Sequence, residues 1–225
     1  IFLVLSFIKS MADNSFNLIH SKLINNLIKK ESKIGIIGLG YVGLPLSIAF
    51  SESGYRVIGF DIDIEKVNKI NNGTSYINHL SSITIKKLQE SKHLSATNDF
   101  SKTKDVDALI LCLPTPLNKN RVPDLSFIEK TLDSIIPYLR KGQIISLEST
   151  TYPGTTEEII KERISQSGLK VGEEIFIVYS PEREDPGNKD FNTSNIPKNS
   201  CLVKIIWLDD KTQCHFGKCC VEVVS

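Results

Sequence analysis

The 225-residue sequence lacks a long apolar run, a strong net charge and a regular cysteine framework. The apolar run in IFLVLSFIKS, residues 1–10, is about eight residues long, well short of the ~20 that a membrane-spanning helix needs. No basic region precedes that run and no small-residue cleavage site follows it, so it does not read as a signal peptide. Met11 is the single methionine, and the preferred reading is that translation starts there and residues 1–10 are upstream sequence; the alternative is a short membrane-interacting segment. A net charge of +1 supplies no global field to recruit nucleic acid or a membrane surface. The five cysteines form no disulfide pattern, and Cys112 falls within an apolar stretch expected to be a strand, which points to a reducing, cytoplasmic setting. No internal repeat or low-complexity tract is present.

What the chain does contain is organised around Lys33 to Asp63. Ile34 to Ile37 run as a strand into Gly38, Gly40 and Gly43, and Val42, Leu46, Ala49 and Phe50 then recur at helical spacing. Gly54 closes that helix, and Arg56 to Phe60 forms a second strand ending at Asp61. Gly38 allows the sharp turn, Gly40 leaves room for a pyrophosphate and Gly43 allows close packing. Tyr41 and Val42 complete the cofactor-binding loop, whose free N–H groups lie at the positive end of the helix dipole. Asp61, about 20 residues on, can accept the hydroxyls of an adenosine ribose and would repel a 2′-phosphate, which predicts NAD rather than NADP. Glycines also serve turns and packing alone, but here strand, helix, second strand and acid agree.

The alternation continues downstream. Ile64 to Asn71 reads as a helix stopped by Asn72-Gly73, Ile83 to Ser91 as another, and Leu94 to Thr97 as a short strand. Lys66 either rests on the adenosine side of the cofactor or lies on a solvated helix face. Val106 to Leu113 is nearly all apolar, as a strand covered on both faces should be, and ends at Pro114 to Leu117, where prolines hold the chain extended. Asp124 is expected to cap a helix from Leu125 to Leu139, with Gly142 as its stop. Gln143 to Leu147 is the next strand, Thr155 and Glu158 have capping-box spacing for a helix beginning near Thr156, and Glu174 to Tyr179 makes a sixth strand. The hydroxyls of residues 148–154 either bond a ligand or serve local backbone bonding. Two βαβαβ halves predict an α/β, Rossmann-like, doubly wound parallel sheet of order 3-2-1-4-5-6 with an irregular C-terminal tail. The expected organisation is a lead-in over 1–32 with a surface helix, an NAD-binding domain over 33–198, and an off-pattern tail over 199–225.

The succession GLGYVGLPL, GFDID, SYINH, DALILCLPTPL, PDLS, ESTTYPGTTEE and YSPEREDPG resembles the N-terminal portion of the UDP-glucose/GDP-mannose dehydrogenase family, in the wording of the branch that oxidises UDP-N-acetylhexosamines. The similarity runs from about Lys33 to Lys198. It implies oxidation of the C6 alcohol of a UDP-sugar to a uronate with two NAD⁺, through a cysteine thioester, in a homo-oligomer. By the same resemblance Gly38, Gly40 and Gly43 hold the pyrophosphate, Asp61 with Lys66 holds the ribose, and Thr115 lies beside the cofactor. Thr151 would contact the cofactor and help position water near C6. Glu182 would assist proton transfer, although within the charged run Glu182 to Asp185 it also reads as an ordinary surface acid.

The family's nucleophilic cysteine belongs to a later glycine-rich motif that these residues do not contain. The expectation is therefore a chain that binds NAD without completing the reaction alone. After Lys198 the sequence leaves the family pattern, while Leu208 to Gln213 returns to it, as a local reading-frame disturbance followed by a premature end would produce. Cys214, His215, Cys219 and Cys220 do not match the spacing of structural zinc sites, so no metal is expected. A non-catalytic dinucleotide-binding module and a different Rossmann dehydrogenase remain the alternative readings, although the latter gives no reason for SPERE.

Overall fold

The computed structural model describes residues 18–117, 119, 123–149, 155–179, 204–206 and 223–224. The chain begins with α1 (Leu18–Ile28) and then alternates: β1 (Lys33–Ile37), α2 (Gly43–Glu52), β2 (Arg56–Phe60), α3 (Ile64–Asn71), α4 (Ser82–Glu90) and β3 (Leu94–Thr97). A 3₁₀ segment (Phe100–Asp105) leads to β4 (Ala108–Leu111), followed by α5 (Ser126–Ile135), β5 (Gln143–Leu147), a π-helical turn (Thr156–Lys161) running into α6 (Glu162–Ser165), and β6 (Ile175–Tyr179). Two short strands, β7 (Lys204–Ile206) and β8 (Val223–Val224), come last.

The first six strands are parallel in the order β3-β2-β1-β4-β5-β6, as the two βαβαβ halves require. β7 then adds antiparallel to β6, and β8 parallel to β7. Part of the tail expected to be irregular is thus strand, in keeping with the β-branched composition of Ile205, Ile206, Val223 and Val224.

The strand side chains alternate between two cores. In β4 all residues are buried, with Ala108 and Ile110 in one core and Leu109 and Leu111 in the other. The first core includes α1, α2, α3 and α4; the second includes α5 and α6. This two-sided cover explains why the central strands read as continuous apolar runs. α1 is not merely a surface lead-in: Leu23, Ile24 and Leu27 are buried in the first core, and the Tyr55 hydroxyl donates to the Leu27 carbonyl at 2.9 Å. At the exposed edge of β3, the Asn71 side chain accepts from Ala96 N–H at 2.8 Å and donates to its carbonyl at 2.9 Å, closing part of an edge that would otherwise be open.

Local differences from the sequence reading have physical causes. α5 ends at Ile135, short of Leu139, and gives way to a 3₁₀ turn over Ile136–Tyr138. Pro137 has no N–H to continue the helix and its ring crowds the preceding turn. Asp124 accepts from Ser126 N–H at 3.0 Å as a cap would, although the helix starts one residue later than expected. Thr155 is already helical and makes no side-chain capping bond, so the capping box is not formed. Cys112 lies one residue beyond β4 rather than inside it; its N–H still donates to the Ile37 carbonyl at 2.8 Å before Leu113 and Pro114 carry the chain away from the sheet.

Candidate dinucleotide-binding site

The turn out of β1 is shaped by contacts that exclude side chains. Gly38 has φ +92°, and a Cβ there would stand 2.3 Å from the Cys112 carbonyl oxygen. A Cβ on Gly43 would stand 1.8 Å from the Gly38 carbonyl oxygen, so the turn cannot close without glycine at both positions. Gly40 is different: beyond its own chain neighbours, no atom of the described residues lies within 4 Å of where its Cβ would be. Nothing in the fold demands glycine there, whereas a pyrophosphate lying against the loop would.

Gly38 N–H donates to the Phe60 carbonyl at 2.8 Å and Leu39 N–H to Asp61 Oδ2 at 2.8 Å. The next four amides, from Gly40 to Gly43, have no backbone acceptor among the described residues. They lead into α2, which has no acidic residue in its first turn and carries Pro45 there, where no N–H is needed. A helix start of this kind attracts an anion through its free N–H groups and its dipole.

Asp61 follows the last residue of β2 and is only 7% exposed. Besides Leu39 N–H it accepts from Asp63 N–H at 2.9 Å through Oδ1 and pairs with Lys66 Nζ at 3.4 Å through Oδ2. Lys66 is thus tied to the carboxylate and partly open to solvent. The Tyr76 hydroxyl donates to the Leu39 carbonyl. Burial, with the charges of Asp61 and Asp63 adding to it, pushes the Tyr76 hydroxyl far above the usual tyrosine range, so it remains a donor.

Across the sheet's carboxyl edge these elements border a cleft of about 770 Å³ at the switch between β1 and β4. It is lined by Gly38, Gly40, Tyr41, Val42, Asp61, Lys66 and Thr115, all expected at a cofactor site, and not by Gly43, whose part is in closing the turn. Tyr41 and Ile62 stand exposed at its rim. Its other wall adds Cys112, Glu148 and Ser149. Ser149 Oγ accepts from Leu113 N–H at 3.0 Å and donates to the Leu113 carbonyl at 2.8 Å, so the loops leaving β4 and β5 are held together. Glu148 Oε1 accepts from Ser146 Oγ at 2.9 Å. Thr151 and Glu182 lie outside the described residues, as do Cys214, His215, Cys219 and Cys220. Among the described residues no cluster of histidine, cysteine and acidic side chains could hold a metal, and no helix is long and apolar enough to cross a membrane. Sequence reasoning missed Tyr76 and the cleft positions of Cys112, Phe100 and Phe127. Each depends on a contact distant in sequence.

Sheet order, glycine turn, free helix amides and a carboxylate at the end of β2 together define a dinucleotide-binding domain of the Rossmann class. Residues 32–199 match the model of the UDP-glucose/GDP-mannose dehydrogenase family, NAD binding domain, and the chain belongs to that family. The UDP-N-acetyl-D-glucosamine 6-dehydrogenase of Salmonella typhi is 38% identical over 169 residues, which cover 75% of this chain and 39% of that protein. The solved UDP-N-acetyl-mannosamine dehydrogenase of Staphylococcus aureus superposes with a TM-score of 0.69 at 33% identity, covering 77% of this chain and 42% of that one. A ternary complex of GDP-mannose dehydrogenase from Pseudomonas aeruginosa gives 0.68 at 32% identity, with coverages of 78% and 41%. The chain therefore spans about two-fifths of the length of these relatives.

Proposed function

We propose that this chain is the NAD-binding portion of a nucleotide-sugar 6-dehydrogenase that oxidises the C6 alcohol of a UDP-N-acetylhexosamine to a uronate. The single observation that carries the reading is the cleft itself. Four consecutive loop amides without a backbone acceptor among the described residues, an open space at Gly40 and a buried carboxylate border one volume. Bound NAD⁺ supplies a hydride acceptor. The chain's own residues do the rest of the work assigned here. The amides of Gly40 to Gly43 bind the pyrophosphate, and Asp61 accepts from the adenosine ribose while Lys66 holds the carboxylate in place. Thr115, on the loop leaving β4, sits beside the cofactor. Thr151 contacts the cofactor and orients water near C6, and Glu182 moves a proton at the reacting oxygen; both roles are carried over from the family motif. The domain extends over residues 33–198, and the substrate class follows from the names of the relatives.

The test is to titrate the chain with NAD⁺ and then follow NADH after adding UDP-N-acetylglucosamine or UDP-N-acetylmannosamine. Saturable NAD⁺ binding is expected, without steady NADH formation, because the family's nucleophilic cysteine belongs to a motif that these residues do not contain. Absence of NAD⁺ binding would overturn the reading. Steady turnover would overturn the assignment of the thiol to another segment.

A further inference from the structure

One residue outside the expected site reaches its centre. Tyr76 lies in the connection between α3 and α4, and its hydroxyl donates to the carbonyl of Leu39, 37 positions earlier. That connection is itself anchored. Ser75 N–H donates to Ser82 Oγ at 2.9 Å, Ser75 Oγ donates to the Ile77 carbonyl at 3.0 Å, and Ile77 is buried in the first core. Tyr76 is therefore presented to the loop from a fixed point, with its ring packed against the same core.

Leu39 is the residue on which the loop turns. Its side chain is fully buried against β2, where a Cβ on Gly59 would come within 2.7 Å of it. Its N–H is held by Asp61, at 2.8 Å. Its carbonyl precedes the helical ladder, which opens with Leu44 N–H donating to the Gly40 carbonyl at 3.1 Å. The peptide on one side of Leu39 thus fixes the ribose-binding carboxylate, and the peptide on the other side contains the Gly40 amide, the first of those open to a phosphate. We propose that Tyr76 is a positioning residue of the NAD site: by holding the Leu39 carbonyl it sets the orientation of the Leu39–Gly40 peptide and, through Leu39 N–H, the aim of Asp61. Removing the hydroxyl leaves that carbonyl short of a partner and frees the peptide to rotate, while leaving the ring's packing in place.

This inference rests on the NAD-binding reading, and Tyr76→Phe separates the two. Wild type and variant are compared by NAD⁺ titration, by amide hydrogen exchange across the whole chain and by thermal unfolding without cofactor. The expected result is an NAD⁺ dissociation constant about three- to tenfold higher in the variant. Faster exchange should be confined to residues 39–42 and the Asp61–Asp63 turn, with exchange in the sheet unchanged. Equal affinity with unchanged loop exchange would overturn the proposal. So would lower stability spread over the sheet with affinity unaltered, since that is the result of a packing role alone. If wild type itself fails to bind NAD⁺, the functional reading falls, while loop exchange in the variant still reports whether the Tyr76 hydroxyl orders the turn.

Discussion

At the amino ends of β1, β4 and β5, polar side chains close on one another, whereas beyond the carboxyl end of β1 a run of backbone amides has no backbone acceptor among the described residues. The buried Gln143 amide accepts from Arg140 N–H at 2.7 Å and donates to the Thr103 and Val106 carbonyls, each at 2.8 Å. Arg140 also binds Asp107 at 2.7 Å, and the second oxygen of Asp107 accepts from Lys33 N–H at 2.9 Å. Each of these groups has its partner within the protein. At the opposite end, glycine conformation and the start of α2 leave the amides of Gly40 to Gly43 beside the cleft without a backbone acceptor among the described residues. Saturated polar groups contribute to stability and offer a ligand nothing, and unsaturated ones do the reverse. One sheet therefore separates its structural end from its binding end.

The separation can be broken first where both properties meet. Gly43→Ala forces a methyl onto the Gly38 carbonyl and should cost about 3 kcal/mol or more of folding stability, together with NAD⁺ binding. Denaturant unfolding and titration of the same sample would detect both losses. Gln143→Leu should cost about 2 kcal/mol by orphaning the Arg140 N–H and taking one donor from each of the Thr103 and Val106 carbonyls, yet leave the NAD⁺ dissociation constant of the folded protein unchanged. A changed affinity would mean that the two ends are coupled. Gly40→Ala should behave in the opposite way, with about tenfold weaker NAD⁺ binding and stability within about 0.5 kcal/mol of wild type. Asp61→Asn is the most subtle: it keeps an acceptor for Leu39 N–H but removes the charge, so preference for NAD⁺ over NADP⁺ should fall several-fold while total affinity changes less. Unchanged preference would count against the ribose assignment.

The binding end was the more legible of the two in the sequence, because its determinants are local. Gly38, Gly40 and Gly43 lie within six residues, and the strand before them and the helix after them show their own periodicities. Asp61 follows from a fixed distance along a βαβ unit. The amino-end network was not legible, since Gln143 bonds across 40 and 37 positions to Thr103 and Val106, and nothing in QIISL marks its first residue as a polar hub. Tyr76 was hidden for the same reason, being a lone tyrosine in a connection until the fold brings it to Leu39. Cys112 was read as strand interior because hydropathy cannot show where sheet pairing stops, and β7 and β8 lie in a segment whose sequence leaves the family pattern. The early end of α5 could have been read from Pro137, whose missing N–H outweighs the apolar periodicity around it.

On the proposed function, the glycine turn and Asp61 make this chain an NAD site. Calorimetric titration of the wild-type chain with NAD⁺ and NADP⁺ tests it most directly. One saturable NAD⁺ site per chain is expected, with NADP⁺ at least about tenfold weaker, a difference of ~1.4 kcal/mol. Equal affinities, or no heat of binding from either nucleotide, would contradict it.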